Sequence, residues 1–310
     1  MQIIHLTYPL AENLIPGKIV LALGFFDGVH RGHQQLIKTA KQAAAAQDLP
    51  LAVMTFDRHP KEVYQHASVA YIDNLAEKAY KMAHLGVDYL LVIHFNAGFS
   101  NLSAQEFVDQ IIVKLQATTV VAGFDYTYGP KKTANMANFP KYAKGRFKII
   151  EIPKQSYDGE KIGSTEIKRA ITSGQMELAT KLLGWHYIMS GVVGHGLRNG
   201  HKLGYPTVNL VWQDSKVIPK VGVYATKTKV AGKWYDSMTS VGYNVTINDS
   251  KQIFIESNLF NFDQEIYGQE IVIKWYKYTR GEIKFADLAG LKKQMAQDEV
   301  QIKTYFAQRK

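Results

Sequence analysis

Through the first half of the chain, apolar residues come in short runs separated by helix-forming stretches. Residues 19–23, 51–56, 89–93 and 118–122 are mostly apolar, the mark of strands covered on both faces of a parallel sheet. Residues 2–6 and 147–152 add two more strands. Between them, 34–47 is rich in Ala, Leu, Lys and Gln, which favour helix, and 74–85 carries helical periodicity. At the start of 103–115, Ser103 followed by Glu106 predicts a capping box. Strands alternating with helices predict an α/β fold with a doubly wound, mostly parallel sheet.

From residue 187 the pattern changes. Strands at 187–193, 222–230, 233–242, 254–259 and 270–278 alternate with period two, and Ala231-Gly232 marks a tight turn. A closing helix over 287–306 keeps its apolar stripe only loosely. Several short strands and one terminal helix predict a small antiparallel β-barrel with the helix packed on it. The expected division is 1–185 and 186–310.

In a doubly wound sheet the ligand lies beyond the carboxyl ends of the strands. Three connections fall there: Gly24-Phe25-Phe26-Asp27-Gly28-Val29-His30-Arg31-Gly32-His33, then Asp57-Arg58-His59-Pro60, then Gly123-Phe124-Asp125. The first is a glycine-rich turn into a helix. Helix-start amides and a partial positive charge suit a phosphate, and glycine lets the backbone approach an anion closely. His30 and His33, three apart, share one face and suit charge developing on a triphosphate. A purely structural turn and a metal role for the histidines are the alternatives. Asp57 and Asp125 have turn or cap roles as theirs. Further on, Ser164 or Thr165 would cap a helix over 166–173 and offer a second helix start to the same crevice.

The second half has its own glycine arch, 194–204, with Gly196, Gly200, Lys202 and Gly204 placed to line phosphates. After it, Thr207 and Asn209 point the same way if the segment is a strand. A hydroxyl and an amide oxygen suit Mg²⁺, which takes few protein ligands. A β-turn followed by two polar surface residues is the alternative.

At 310 residues the chain is long enough for two cores. It has no Cys, which excludes disulfides, thiolate metal sites and a cysteine nucleophile. No apolar run approaches the ~20 residues that span a bilayer, and residues 1–5 lack a signal-peptide pattern. The expectation is a cytoplasmic protein with no membrane partner. The net charge of +10 is scattered, with no run of five basic residues. It reads as a solvated face that attracts an anionic substrate, and no nucleic-acid module is recognised.

The motifs, taken whole, resemble those of a known family. Gly24–His33 is similar to the HxGH signature of nucleotidylyltransferases in the form carried by prokaryotic FAD synthetases. Thr55-Phe56-Asp57-Arg58-His59-Pro60 looks like that family's TFDPHP, and 123–129 like its GxDFxFG. The arch ending in Gly204-Tyr205-Pro206-Thr207-Val208-Asn209 resembles the riboflavin kinase signature G-[FY]-P-T-A-N, and 255–262 resembles the kinase segment whose Glu is the catalytic base, here Glu256. The resemblance covers nearly the whole chain and implies a bifunctional riboflavin kinase and FMN adenylyltransferase. It implies riboflavin, FMN, FAD and ATP as substrates and products, with Mg²⁺ held by Thr207 and Asn209. In the first half it assigns His30 and His33 to catalysis, Gly24, Phe26, Asp27, Gly32, Ser164 and Thr165 to ATP phosphates, and Asp57 and Asp125 to the flavin. In the second half it assigns Gly196, Gly200, Lys202 and Gly204 to phosphates and Arg280 to the flavin.

Three segments depart from the family pattern. Where the family carries ISSTRIR, this chain has Ile162-Gly163-Ser164-Thr165-Glu166-Ile167-Lys168. Lys131-Lys132-Thr133 lacks the usual Gly-Asp, and Gly242-Tyr243-Asn244 stands in place of GxxPTF. Glu in place of a phosphate-clamping Arg exchanges attraction for repulsion. A kinase with a weakened adenylylation half is therefore one alternative, and a flavin-binding regulator of nucleic acid is another.

Overall fold

The computed structural model describes residues 1–64, 67–157, 159–195, 207–212, 215–245 and 251–309. The chain forms two compact units, Met1–Ser164 and Thr165–Lys310.

The first unit is built on a six-stranded sheet. Its strands are β1 (Gln2–Leu6), β2 (Ile19–Leu23), β3 (Leu51–Phe56), β4 (Tyr89–Ile93), β5 (Ala117–Gly123) and β6 (Lys148–Ile152), in the order β1-β4-β3-β2-β5-β6. Every pairing is parallel. The unbroken apolar runs are explained by two cores, one on each face. Val20, Ala22 and Val53 pack with Leu36, Ile37 and Ala40 of α1 (Arg31–Ala45) and Met82 of α3 (Leu75–His84). Leu21, Leu23, Met54 and Val120 point the other way, towards Phe99, Phe107 and Ile111. The strand order turns around at β2, whose neighbours are β3 and β5, so the ends of β2 and β5 open a crevice.

Local signals hold up with small shifts. Asn74 caps α3 in a full capping box with Glu77. Ser103 and Glu106 form the expected box, but only α5 (Ala104–Phe107) is α-helical; Val108–Val113 is a wider π turn. That turn keeps Val108, Ile111 and Ile112 buried, as an α-helix would, so the apolar pattern does not separate the two. Short helices α2 (Pro60–Tyr64), α4 (Ala97–Ser100) and α6 (Phe139–Ala143) and a two-stranded ribbon of β7 (Ser156–Tyr157) and β8 (Glu160–Lys161) complete the unit.

α7 (Ser164–Thr172) begins at the last residue of the first unit, and α8 (Met176–Leu183) and a closed antiparallel barrel follow in the second. Its strands are β9 (Ile188–Gly194), β10 (Thr207–Val211), β11 (Gly222–Val230), β12 (Lys233–Val245), β13 (Lys251–Leu259) and β14 (Glu270–Arg280), in the order β10-β13-β12-β11-β14-β9. β10 is the strand the periodicity missed, and it closes the barrel by pairing with both β13 and β9. The interior is partly polar. Thr226, Thr228, Ser237, Thr239 and Ser257 are fully buried and bond to one another at 2.7–3.0 Å. The last helix, α9 (Leu288–Ala307), seats Ile302 and Phe306 on Val223, Ala225 and Met238. Its stripe looks loose because Asp298, 1% exposed, occupies a buried position. Among the described residues, no helix is long and apolar enough to cross a membrane.

Candidate active sites

The glycine turn after β2 takes its shape from close packing. Phe26 adopts a left-handed backbone (φ 56°) and Gly28 and Val29 follow at φ 83° and 45°. The Phe26 ring is fully buried and folds back over Gly24, where a Cβ would lie 2.9 Å from Cζ. Gly24 therefore supplies room and Gly28 conformational freedom. The turn ends at His30, whose extended backbone and Nδ1, accepting from the His33 N–H at 3.4 Å, cap α1. The two imidazoles stack at 3.5 Å with an 18° interplanar angle, and the Phe26 ring meets His33 edge-on at 5.1 Å. A Cβ on Gly32 would come within 3.2 Å of His30 Cε1, so a larger residue there would press on the His30 ring.

His33 is the electrostatically unusual member. Burial, then the charges of His30 and Lys78, hold its pKa well below the ordinary histidine value. Its Nδ1 is buried with no hydrogen-bond partner. A buried imidazole kept neutral, with an unmet nitrogen, makes His33 a candidate ligand-binding group.

A cleft of about 230 Å³ opens beside this pair, lined by His30, Gly32, His33, Asp125, Gln155 and Ser164 among others. Five residues expected from the sequence thus meet there: His30, Gly32, His33, Asp125 and Ser164. Ser164, the last residue of the first unit, also donates its hydroxyl to the Asp27 carbonyl at 3.0 Å. Gly24, Phe26 and Asp27 do not line the cleft. The Asp27 side chain is buried and accepts from Ile72 N–H at 2.8 Å and Asp73 N–H at 3.4 Å. Asp57 lies at the end of β3, where it accepts from Phe95 N–H (3.0 Å) and pairs with His94 Nδ1 (2.6 Å). Burial raises its pKa, but the Phe95 N–H, His94 and Arg58 outweigh that and hold it low. Thr165 is the first residue of the second unit. Gln155 has no sequence signal; it reaches the cleft from the connection between β6 and β7.

On the barrel, β10 and β13 bring the kinase candidates together. In the antiparallel register Thr207 faces Asn258 and Asn209 faces Glu256. All four are on one face by the period-two rule, and side chains opposed in this way have Cβ atoms roughly 4.5–5.5 Å apart. Burial pushes the Glu256 carboxyl up from its ordinary value, which strengthens it as a base. Asn258 escaped the sequence reading, though its place two residues beyond Glu256 was a usable signal. Gly196, Gly200, Lys202 and Gly204 lie outside the described residues. Arg280 sends Nε and Nη2 to Asp298 at 2.7–3.0 Å and Nη1 to the Gly281 carbonyl, so it pins β14 to α9.

No cluster of three or more His, Cys, Asp or Glu able to hold a metal exists among the described residues. The hydroxyl and amide of Thr207 and Asn209 form an oxygen donor set, which fits a hard cation that keeps its waters and phosphate ligands.

A FAD synthetase model matches residues 13–166 and a riboflavin kinase model matches 183–306. The bifunctional riboflavin kinase/FMN adenylyltransferase of Listeria monocytogenes is 45% identical over 310 residues, covering 99% of both chains. That of Bacillus subtilis is 40% identical with 99% of each covered. A solved structure described as a macrolide-efflux protein from Streptococcus pneumoniae is 35% identical, with a TM-score of 0.88 over 96% of this chain and 99% of that one. The chain belongs to the bifunctional riboflavin kinase/FMN adenylyltransferase family.

Proposed function

We propose that the two halves act in sequence, with functional limits at 1–185 and 186–310: the barrel phosphorylates riboflavin to FMN with ATP, and the parallel-sheet half adenylylates FMN to FAD, releasing pyrophosphate. The observation that carries this reading is that each half gathers its own reactive set, His30 on His33 and Asn209 opposite Glu256.

In the barrel, Glu256 takes the proton of the ribityl hydroxyl as that oxygen attacks the γ-phosphorus and ADP leaves. Thr207 and Asn209 would hold Mg²⁺, which neutralises phosphate charge when bound. Gly196, Gly200, Lys202 and Gly204 would cover the phosphates. In the first half, a phosphate oxygen of FMN attacks the α-phosphorus of ATP, and the bond to pyrophosphate breaks. No protein nucleophile is needed. His30 and His33 stabilise charge in the transition state, and Gly32 and Ser164 receive the phosphates. Gly24, Phe26 and Asp27 serve them by shaping the turn. Asp125 faces the flavin from the cleft, while Asp57 and Arg280 support the flavin sites through the segments they hold. A cysteine-free composition supports a cytoplasmic setting.

Glu166, standing where the family has Arg, favours one second reading, in which adenylylation is slow. A time course with riboflavin, ATP and Mg²⁺ that separates FMN from FAD decides. Accumulating FAD supports the two-step reading; a stop at FMN overturns the adenylylation half; absence of both overturns the whole.

A further inference from the structure

Two lysines lie buried beneath the turn that carries His30 and His33. Lys78 and Lys81 of α3 are 4% and 3% exposed, and a buried ammonium is costly unless it is paired and hydrogen-bonded. Both are. Lys81 Nζ donates to both Asp73 carboxylate oxygens at 2.8 Å and to the Gly28 carbonyl at 3.3 Å. Lys78 Nζ donates to the Phe25 carbonyl at 2.8 Å and to Thr55 Oγ1 at 3.1 Å, and sits 4.5 Å from the Phe25 ring centroid. Being three apart on α3, the two share one face and reach the turn together.

Their acceptors belong to a wider pattern. The Phe25 carbonyl also receives the Thr55 hydroxyl at 2.8 Å, and the Val29 carbonyl receives Gln34 Nε2 at 2.8 Å. With Ser164 on the Asp27 carbonyl, the oxygens of the turn are drawn onto protein donors. Side-chain donors that fix carbonyls also fix the peptide planes, and with them the direction of the amides. A shift in those planes would move His30, which joins this turn to the start of α1.

We propose that Lys78 is a positioning residue of the adenylylation site: its ammonium fixes the Phe25 carbonyl and, with Lys81 on Gly28, holds the turn in the shape that stacks His30 on His33 and sets buried positive charge beneath the ATP phosphates. The inference rests on the adenylylation reading above. It also gives Lys78 a second effect. Burial lowers its own pKa to about 8 against the opposing pull of Asp27 and Asp73, and its charge, after burial and beside His30, helps to keep His33 neutral.

The test uses full-length parent, Lys78→Met and Thr55→Val. Adenylylation of supplied FMN and phosphorylation of riboflavin are measured in the same preparations, with NMR titration of the His33 ring. Lys78→Met is expected to raise the KM for ATP in adenylylation by about tenfold, to leave riboflavin phosphorylation unchanged, and to move the His33 midpoint upward. Thr55→Val, which keeps the charge but loses the bonds of Thr55 Oγ1 to the Phe25 carbonyl and to Lys78 Nζ, raises the KM less and leaves the His33 midpoint in place. A merely structural lysine would lower kcat through loss of folded protein and move neither KM nor midpoint; that result overturns the inference while leaving the two-step reading intact. If Lys78→Met does not fold, Thr55→Val decides alone, an unchanged KM counting against the proposal. A parent that makes no FAD overturns the adenylylation reading and the positioning role of Lys78 with it.

Discussion

Asn209 and Glu256 stand opposite each other across the β10–β13 pair. Strand pairing alone thus puts a candidate metal ligand beside a candidate base. Thr207 and Asn258 form the next pair on the same face, so one short strand, closing the barrel, also completes the site.

Replacing Glu256 by Gln keeps the shape and removes the proton acceptor. Riboflavin phosphorylation should fall about 10²–10⁴-fold, while adenylylation of supplied FMN persists. The raised pKa of Glu256 sets the sign of the pH response. The base is lost as pH falls through that raised value, so the acid limb of the kinase profile should lie above the ordinary glutamate range. A kinase profile of parent and variant from pH 4 to 8 checks both points.

His33 should behave in the opposite sense. Its pKa is depressed by burial and by the charges of His30 and Lys78, so it stays neutral well below the usual histidine midpoint. Adenylylation should show no acid limb from His33 near pH 6.5. His33→Ala removes a preorganised group beside the phosphates and should slow FAD formation about 10²–10³-fold, with FMN accumulating from riboflavin. Separating the two products over time measures this.

Much of the first unit was legible because its signals are local. Short unbroken apolar runs between helix-forming stretches read as strands covered on both faces, and glycines at 24, 28 and 32 each answer to a φ angle or a close approach. At the ends of β2 and β5, the expected His30, Gly32, His33 and Asp125 line one cleft, while Asp57 at the end of β3 does not. Asp27 and Asp57 were harder, because a carboxylate at a strand end serves a neighbouring backbone as readily as a ligand, and here both accept from N–H groups nearby in space but distant in sequence. Lys78 and Lys81 were invisible, since lysines on an amphipathic helix read as solvated. In the barrel, Thr226 and Thr228 are buried, so the period-two alternation was visible but polarity did not tell which face was the interior.

Arg280 and Asp298 supply a stability prediction. Asp298 is 2% exposed at its side chain and Arg280 19%, and the pair joins β14 to α9. Removing one partner of a buried pair strands the other, so Arg280→Met should destabilise the second unit by about 3 kcal/mol. Adding Asp298→Leu should recover much of that loss, because the stranded charge is gone. Urea unfolding of the parent, the single and the double variants gives the comparison.

His186 makes the second unit sensitive to acid. It lies between α8 and β9, with Nδ1 3.3 Å from Thr180 Oγ1 and its ring 4.0 Å from that of Tyr276. Burial, then the charge of Lys274, lowers its pKa from 6.5 to about 4, against a Trp275 backbone hydrogen bond that raises it. Between those values the unfolded chain binds a proton that the folded chain does not, and stability rises with pH wherever that holds. The contribution of His186 is therefore complete above about pH 6.5 and lost progressively as pH falls towards 4. Solvent reaching the part-buried ring reduces its size without changing its sign. Thermal melts of parent and His186→Gln across this range should differ in slope: the variant loses stability less steeply on acidification, and equal slopes would assign the acid sensitivity to other groups.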